Sequence, residues 1–329
     1  MLSLSVLDLA FIPPGGTAAA SLAHSVDLAR AAERSGYARV WYAEHHGMAT
    51  IASSAPAVVI AHVAAHTSTI RLGAGGVMLP HHSPLVVAEQ FGTLAELHPG
   101  RIDLGLGRAP GGDRAVYAAL RRTPDASDRF PADVVELQGL LAGDQRADGV
   151  RATPGAATRV PLYVLGSSLF GAQLAAQLGL PYAFASHFAP QALVEAIALY
   201  RGTYRPSDAH PEPYVIAGVN VVAAEDGGHA RDQFDAARRQ RVRAMIARGP
   251  VAREYTDQEI DAFLLTPQGA GIAAMMSKAA VGTPAEVQAA LEAFADEARA
   301  DELITVHPSL DPAERIASVR LTGEALTFA

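Results

Sequence analysis

With 329 residues, half of them hydrophobic and fewer than a fifth charged, the chain has the apolar material for a large core and lies far from the composition of disordered segments. Its net charge of −8 argues against a general affinity for nucleic acid, and the absence of cysteine excludes disulfides, thiolate nucleophiles and cysteine-ligated zinc. Charges, Pro or Gly interrupt every apolar run before membrane-spanning length, so no membrane role is expected and a reducing cytoplasm is the expected location.

The first nine residues lack an early Lys or Arg and read as a strand rather than a secretory signal, the apolar run stopping at Asp8. From there a unit recurs in which an Ala-rich amphipathic helix ends near a Gly and a short β-rich run follows at once. Leu22, Val26, Ala29 and Ala32 share one helical face, Gly36 supplies a left-handed cap, and residues 38–42 read as the next strand. Residues 94–100 before 102–107, and 173–179 before 181–186, repeat the pattern. Eight strands are expected, over 2–9, 38–42, 70–77, 102–107, 161–166, 183–186, 214–222 and 302–306. Alternating β and α units give a parallel sheet, and eight of them suggest an α/β fold of the closed (β/α)8 TIM-barrel type, a single domain over 1–329. An open doubly wound sheet shares the alternation and is the alternative.

Polar residues gather at the C-terminal ends of these strands, while the strand bodies read as apolar: Asp8, Glu44 with His45 and His46, Arg108, Ser167 with Ser168, Ser186 with His187, and His307. In a barrel those ends meet at one mouth, where such folds place their chemistry. Residues 111–128, rich in Gly, Asp and Arg, read as a long loop near that mouth. Residues 249–282, with Pro250, Pro267, Gly269 and Gly271, read as an insertion before the last strand and a lid over the site. The basic stretch Arg231, Arg238, Arg239, Arg241, Arg243 and Arg248 includes Asp232 and Asp235 and reads as a solvated helix face.

Four segments carry candidate chemistry. In Trp41-Tyr42-Ala43-Glu44-His45-His46 a histidine able to exchange a proton near neutral pH follows a carboxylate able to fix its tautomer. The third strand runs into Gly75 and Gly76, which let a flat ring approach the backbone or simply mark a bulge; His81 and His82 beyond it, bracketed by Pro80 and Pro84, read as surface-loop residues. Gly105-Leu106-Gly107-Arg108-Ala109-Pro110 begins like a dinucleotide fingerprint and fails at Pro110, so Arg108 reads as a guanidinium placed for a phosphate or another anion. Gly166-Ser167-Ser168 opens the helix expected over 169–178, where hydroxyls and unpaired amides suit a phosphate; plain N-capping by serine is the alternative for those hydroxyls.

Taken in order, Ala43 to His46, the Gly-Ala-Gly-Gly-Val-Met-Leu-Pro run, Gly105 to Pro110 and Gly166 to Ser168 resemble the luciferase-like monooxygenases, a resemblance that spans about residues 2–188, with His187 extending it past the sixth strand. It implies an FMN site, with Ser167, Ser168 and Arg108 on the phosphate, Gly166 beside them, and the isoalloxazine against the third strand at Gly75 and Gly76, where the family commonly has a cis peptide. It also implies that His45 is the acid/base or hydrogen-bonding group of the oxygen chemistry, with Glu44 orienting it or the substrate. The activity implied is oxidation of a small organic substrate, such as an aldehyde, by reduced FMN and dioxygen. No nicotinamide motif is present, so a separate flavin reductase is the expected source of reduced FMN. Residues 56–65 are apolar nearly all round, from which a homodimer is expected.

Three alternatives stand beside this one. A deazaflavin (F420) enzyme would share the barrel and the phosphate site but transfer hydride. A flavin-binding barrel without turnover would leave His45 with no role. A metal-dependent barrel hydrolase would draw on His45, His46, His187 and His307, which lack the paired His-x-His spacing often used for such centres, and no metal is expected.

Overall fold

The computed structural model describes residues 2–108, 114–144, 149–246 and 255–327. Its strands are β1 (Ser3–Asp8), β2 (Arg39–Tyr42), β3 (Arg71–Met78), β4 (Ile102–Gly107), β5 (Leu162–Gly166), β6 (Tyr182–Phe184), β7 (Val215–Ala223), β8 (Ala279–Gly282) and β9 (Glu302–Val306). The helices in the first half are α1 (Ala18–Arg34), α2 (Pro56–Ala64), α3 (Pro84–Leu97), α4 (Arg114–Ala119) and α5 (Phe130–Ala142). Those in the second are α6 (Leu169–Leu178), α7 (Leu193–Thr203), α8 (Gly227–Ile246), α9 (Asp257–Leu264), α10 (Pro267–Ala274), α11 (Pro284–Ala298) and α12 (Pro312–Thr327).

Strands β1 to β6 pair in sequence order, β6 pairs with β7, β7 with β9 and β9 with β1, all parallel, which closes an eight-stranded barrel. All eight expected strands are present, with ends displaced by at most two residues. Strand β8 is additional. It pairs with the C-terminal part of β7, Asn220 opposite Ala279 and Ala223 opposite Gly282.

Local sequence explains the repeating turn. In α1 the Thr17 hydroxyl accepts from the Ala20 amide at 3.1 Å, and Gly36, at φ +77°, takes the chain out of the helix and into β2. The inward face of α1, Val26, Leu28, Ala29 and Ala32, is buried against the barrel, and its small residues allow close approach.

Inside the barrel the strand bodies are not apolar throughout, contrary to the sequence expectation. Near the N-terminal ends of the strands Arg39 donates to Asp103 at 2.8 Å, to the Tyr163 hydroxyl at 2.7 Å and to Glu302 at 3.1 Å. Trp41 Nε1 and Arg71 also donate to Asp103, while Tyr214 and Ser5 donate to Glu302. Side chains from seven strands or their first flanking residue thus form a charged floor, and Asp103 and Glu302 are fully buried in it. Such ions are tolerable in a low-dielectric interior only when paired and hydrogen-bonded. Above the floor lies an apolar layer of Leu7, Trp41, Tyr163, Ala183, Ile216 and Ile304.

Two further expectations are corrected. Within the stretch expected as a long loop over 111–128, the described residues include α4 and the short 3-10 helix Pro124–Arg129. The expected insertion over 249–282 holds α9, α10 and β8, so its last residues belong to the sheet; its first ones lie outside the described residues.

The floor predicts a sharp asymmetry between buried and exposed arginines. Arg39→Ala leaves the buried Glu302 without a cationic partner and Asp103 with Arg71 alone, and is expected to cost about 3–5 kcal/mol. Arg320→Ala, which removes only an exposed pair with Glu324, is expected to change stability by less than about 0.5 kcal/mol. Urea unfolding of the two variants measures the difference, and equal effects would show that the floor contributes no net stability.

Candidate active site

The C-terminal ends of the strands form the mouth. On its β2–β3 side Glu44, fully buried just beyond β2, accepts from the Met78 amide at 3.0 Å and contacts His46 Nε2 at 2.8 Å and His82 Nε2 at 2.7 Å. Burial alone would raise its pKa, but the bonds from His82, His46 and Met78 outweigh that and hold the carboxyl below its ordinary range. An ionised carboxylate has no proton to give, so both histidines carry theirs on Nε2. Glu44 therefore orients His46 and His82 rather than His45. His81 is also buried, edge-on to His46 and to Tyr117 at ring-centroid distances of 5.8 and 5.1 Å. The expectation that His81 and His82 are surface-loop residues is thus overturned. The short helical turn Leu79–His81, begun at Pro80, folds the pair back towards Glu44.

The register between β3 and β4 shifts between Ala74 and Val77, and the Gly75–Gly76 peptide there is cis. A Cβ on Gly76 would lie 2.7 Å from the Gly105 carbonyl oxygen, and one on Gly105 would lie 2.3 Å from that of Ala74. Glycine is thus required at these positions by the close approach of the two strands.

His45 and His187 are electrostatic neighbours, and Arg241 of α8 also acts on His187. Burial first, then Arg241 and His45, push His187 down to about 3, so it is neutral near physiological pH. Its loop is pinned where Asn220 Nδ2 donates to the His187 carbonyl at 2.8 Å and to that of Lys278 at 3.2 Å, and Ser186 donates to the Gly218 carbonyl at 2.6 Å. The backbone of His45 is fixed by its amide bond to the Ser53 carbonyl at 3.0 Å.

Arg108 follows β4 and is exposed, with its guanidinium carbon 4.0 Å from the centre of the Phe170 ring in the first turn of α6. Ser168 is the N-cap of α6, yet its side chain makes no capping bond, so serine capping does not account for it. Gly166 ends β5 and Ser167 follows, which brings Arg108, Ser167, Ser168 and the first amides of α6 to one part of the rim.

Two of the polar strand-end residues are not mouth groups. Asp8 accepts from the Ala10 amide at 2.8 Å and from Ser25 of α1 at 2.5 Å. His307 is buried between Ser318 of α12 at 2.8 Å and Thr305 at 3.0 Å, and burial followed by Arg315 pushes it down to about 3. A hydrolase centre that includes His307 does not fit this placement. The residue that sequence reasoning missed is Arg241, which is largely withdrawn from solvent rather than on a solvated face.

Comparison with known proteins adds the following. The family model described as luciferase-like monooxygenase matches residues 2–302. A luciferase-like monooxygenase of Escherichia coli (strain K12) is 45% identical over 322 residues, 97% of this chain and 96% of that protein. The N-acetyl-S-alkylcysteine monooxygenase of Bacillus subtilis (strain 168) is 32% identical over 344 residues, 100% of this chain and 99% of that protein. The crystal structure of apo-MsnO8 superposes with a TM-score of 0.88 at 37% identity, covering 100% of this chain and 99% of that one. At 16% identity and a TM-score of 0.74 each, the oxygenating constituent of 3,6-diketocamphane monooxygenase from Pseudomonas putida, in complex with FMN, and an F420-dependent secondary alcohol dehydrogenase share the fold alone; each comparison covers 99% of this chain, with 97% and 99% of the other chain.

The pH dependence of stability follows from the buried groups. His187 and His307 titrate near 6.5 when unfolded and near 3 when folded, so the unfolded chain binds more protons between those values. The stability they give is present above about pH 6.5 and is lost as the pH falls towards 3, and the depressed Glu44 adds a loss of the same sign lower in the range. Melting temperatures are expected to drop steadily from about pH 7 to about pH 4.5. A flat or rising profile would mean that these histidines are protonated in the folded protein.

Proposed function

Because the chain belongs to the luciferase-like monooxygenase family, and is an oxidoreductase, we propose that it holds FMN at the barrel mouth and oxygenates a small organic substrate with dioxygen. What carries this proposal is the start of α6, where the N-cap side chain makes no capping bond and the Arg108 guanidinium lies against Phe170 of the first helical turn. Helix N-termini and guanidinium groups both favour phosphate, and a monophosphate fits the pair. Arg108, Ser167 and Ser168 would hold that phosphate, with Gly166 beside them and the flat ring directed towards Gly75 and Gly76 on β3.

When bound and reduced, FMN supplies two electrons, so that one oxygen atom of dioxygen passes to the substrate and the other leaves as water. His45, half-buried at the mouth beside the neutral His187, is the group that moves a proton in this chemistry. Glu44 acts at one remove, fixing His46 and His82. Arg239 and Arg243 of α8 bond to Asp261 and Asp257 of α9, so α8, α9 and α10 act together as the lid that keeps bulk water from the site. The substrate is an aldehyde or, as the name of the Bacillus relative suggests, an S-alkyl compound. Reduced FMN comes from a separate flavin reductase in the cytoplasm. A second copy of the chain covers α2, where Val58 is 70% exposed.

Flavin fluorescence titrations test the phosphate site. Arg108→Ala is expected to weaken FMN binding by ~10–100-fold and to leave riboflavin, which lacks the phosphate, unchanged. An equal loss for both flavins, or none, would remove Arg108 from the phosphate site. Tighter binding of F420 than of FMN would replace oxygen transfer with hydride transfer.

A further inference from the structure

Helix α8 follows the rim of the mouth. Its start is held where His229 contacts Glu314 of α12 at 2.8 Å, its middle where Ser309, just past β9, donates to Gln233 at 2.7 Å, and Arg241 then lies within electrostatic range of His187 beyond β6. The arginines around Arg241 are committed. Arg238 bonds to Asp235, Arg239 to Asp261 and Arg243 to Asp257. Arg241 differs: its Nε is buried without a hydrogen bond, and among the described residues it has no carboxylate partner. Burial holds the guanidinium below its ordinary range, and among the described residues no anion opposes this; His187, on which it acts, is neutral. A desolvated cation without a counter-charge is costly to the fold, and the cost is offset when a ligand brings the anion. One turn further along α8, Met245 is exposed, and the exposed Phe188 ring packs at 5.3 Å from His187, so apolar surface flanks the cation.

We infer that Arg241 binds a carboxylate on the substrate, with the substrate's apolar part against Met245 and Phe188 and its reacting atom directed towards His45. The substrate of the oxygenase proposed above is thus an organic acid with an apolar segment. The Arg108 site is separate and lies on the α6 side of the rim. This assignment rests on the proposed oxygenase for its meaning, but the binding it describes is measurable without flavin.

Calorimetric titration of the full chain with hexanoate and with hexanamide tests it, alongside Arg241→Met and Arg241→Lys. In the wild type hexanoate is expected to bind ~10-fold or more tightly than the amide; Arg241→Met abolishes the preference and Arg241→Lys restores part of it. A thermal melt of the ligand-free proteins separates this role from a structural one, since removing an unpaired buried cation should leave the melting temperature unchanged or raised. Equal binding of acid and amide, no binding of hexanoate, a preference that survives in Arg241→Met, or a lower melting temperature of that variant would each overturn the assignment. So would loss of FMN affinity in Arg241→Met, which would place the guanidinium on the cofactor. Failure of the wild type to bind FMN, with the carboxylate preference intact, would instead overturn the oxygenase and leave the anion site standing.

Discussion

The Arg39 guanidinium, held between Asp103 and Glu302 across the barrel axis, is the constraint from which the rest of the arrangement follows. A cation inside a barrel is stable only if its partners are fixed, and here they come from β4 and β9, with hydroxyls from Tyr163, Tyr214 and Ser5 completing the network. The network closes the N-terminal end. Leu7, Trp41, Ile216 and Ile304 then fill the middle, and the chemistry of such folds sits where the strands end and the loops begin.

At that end a carboxylate with three donors fixes His46 and His82, and the bulge in β3 supplies the Met78 amide that completes the set. The neutral His187 is an electrostatic neighbour of both His45 and Arg241 of α8. The proposed phosphate site lies at the start of α6, beside Arg108. Each group is positioned by a strand end or a helix turn whose backbone is hydrogen-bonded into the barrel, which suits a site that must hold its reactants still.

Much of this was legible in the sequence because the repeating unit is local. An amphipathic helix, a Gly at its end and a short β-rich run lie within about 20 residues of one another, and that pattern located the eight barrel strands. Tertiary partnerships were not legible. Nothing in the segment Ala-Arg-Val-Trp-Tyr announces that Arg39 points inward, because its partners Asp103 and Glu302 are 64 and 263 positions away. His82 looked like a loop residue until the turn at Pro80 brought it to Glu44, and His307 looked like a mouth residue although α12 holds it. Arg241 was hidden among arginines of similar spacing. Only the packing of α9, whose Asp257 and Asp261 engage Arg243 and Arg239, shows that Arg241 has no carboxylate partner among the described residues.

The central claim, oxygen chemistry on a bound flavin with His45 as the proton-handling group, is tested most directly by mixing the protein, loaded anaerobically with reduced FMN, with oxygenated buffer and following the flavin absorbance. The account predicts a lag before oxidised flavin appears, longer than for free reduced FMN and shortened in His45→Ala. Oxidised flavin appearing as fast with the protein as without it, and unaffected by His45→Ala, would contradict the account.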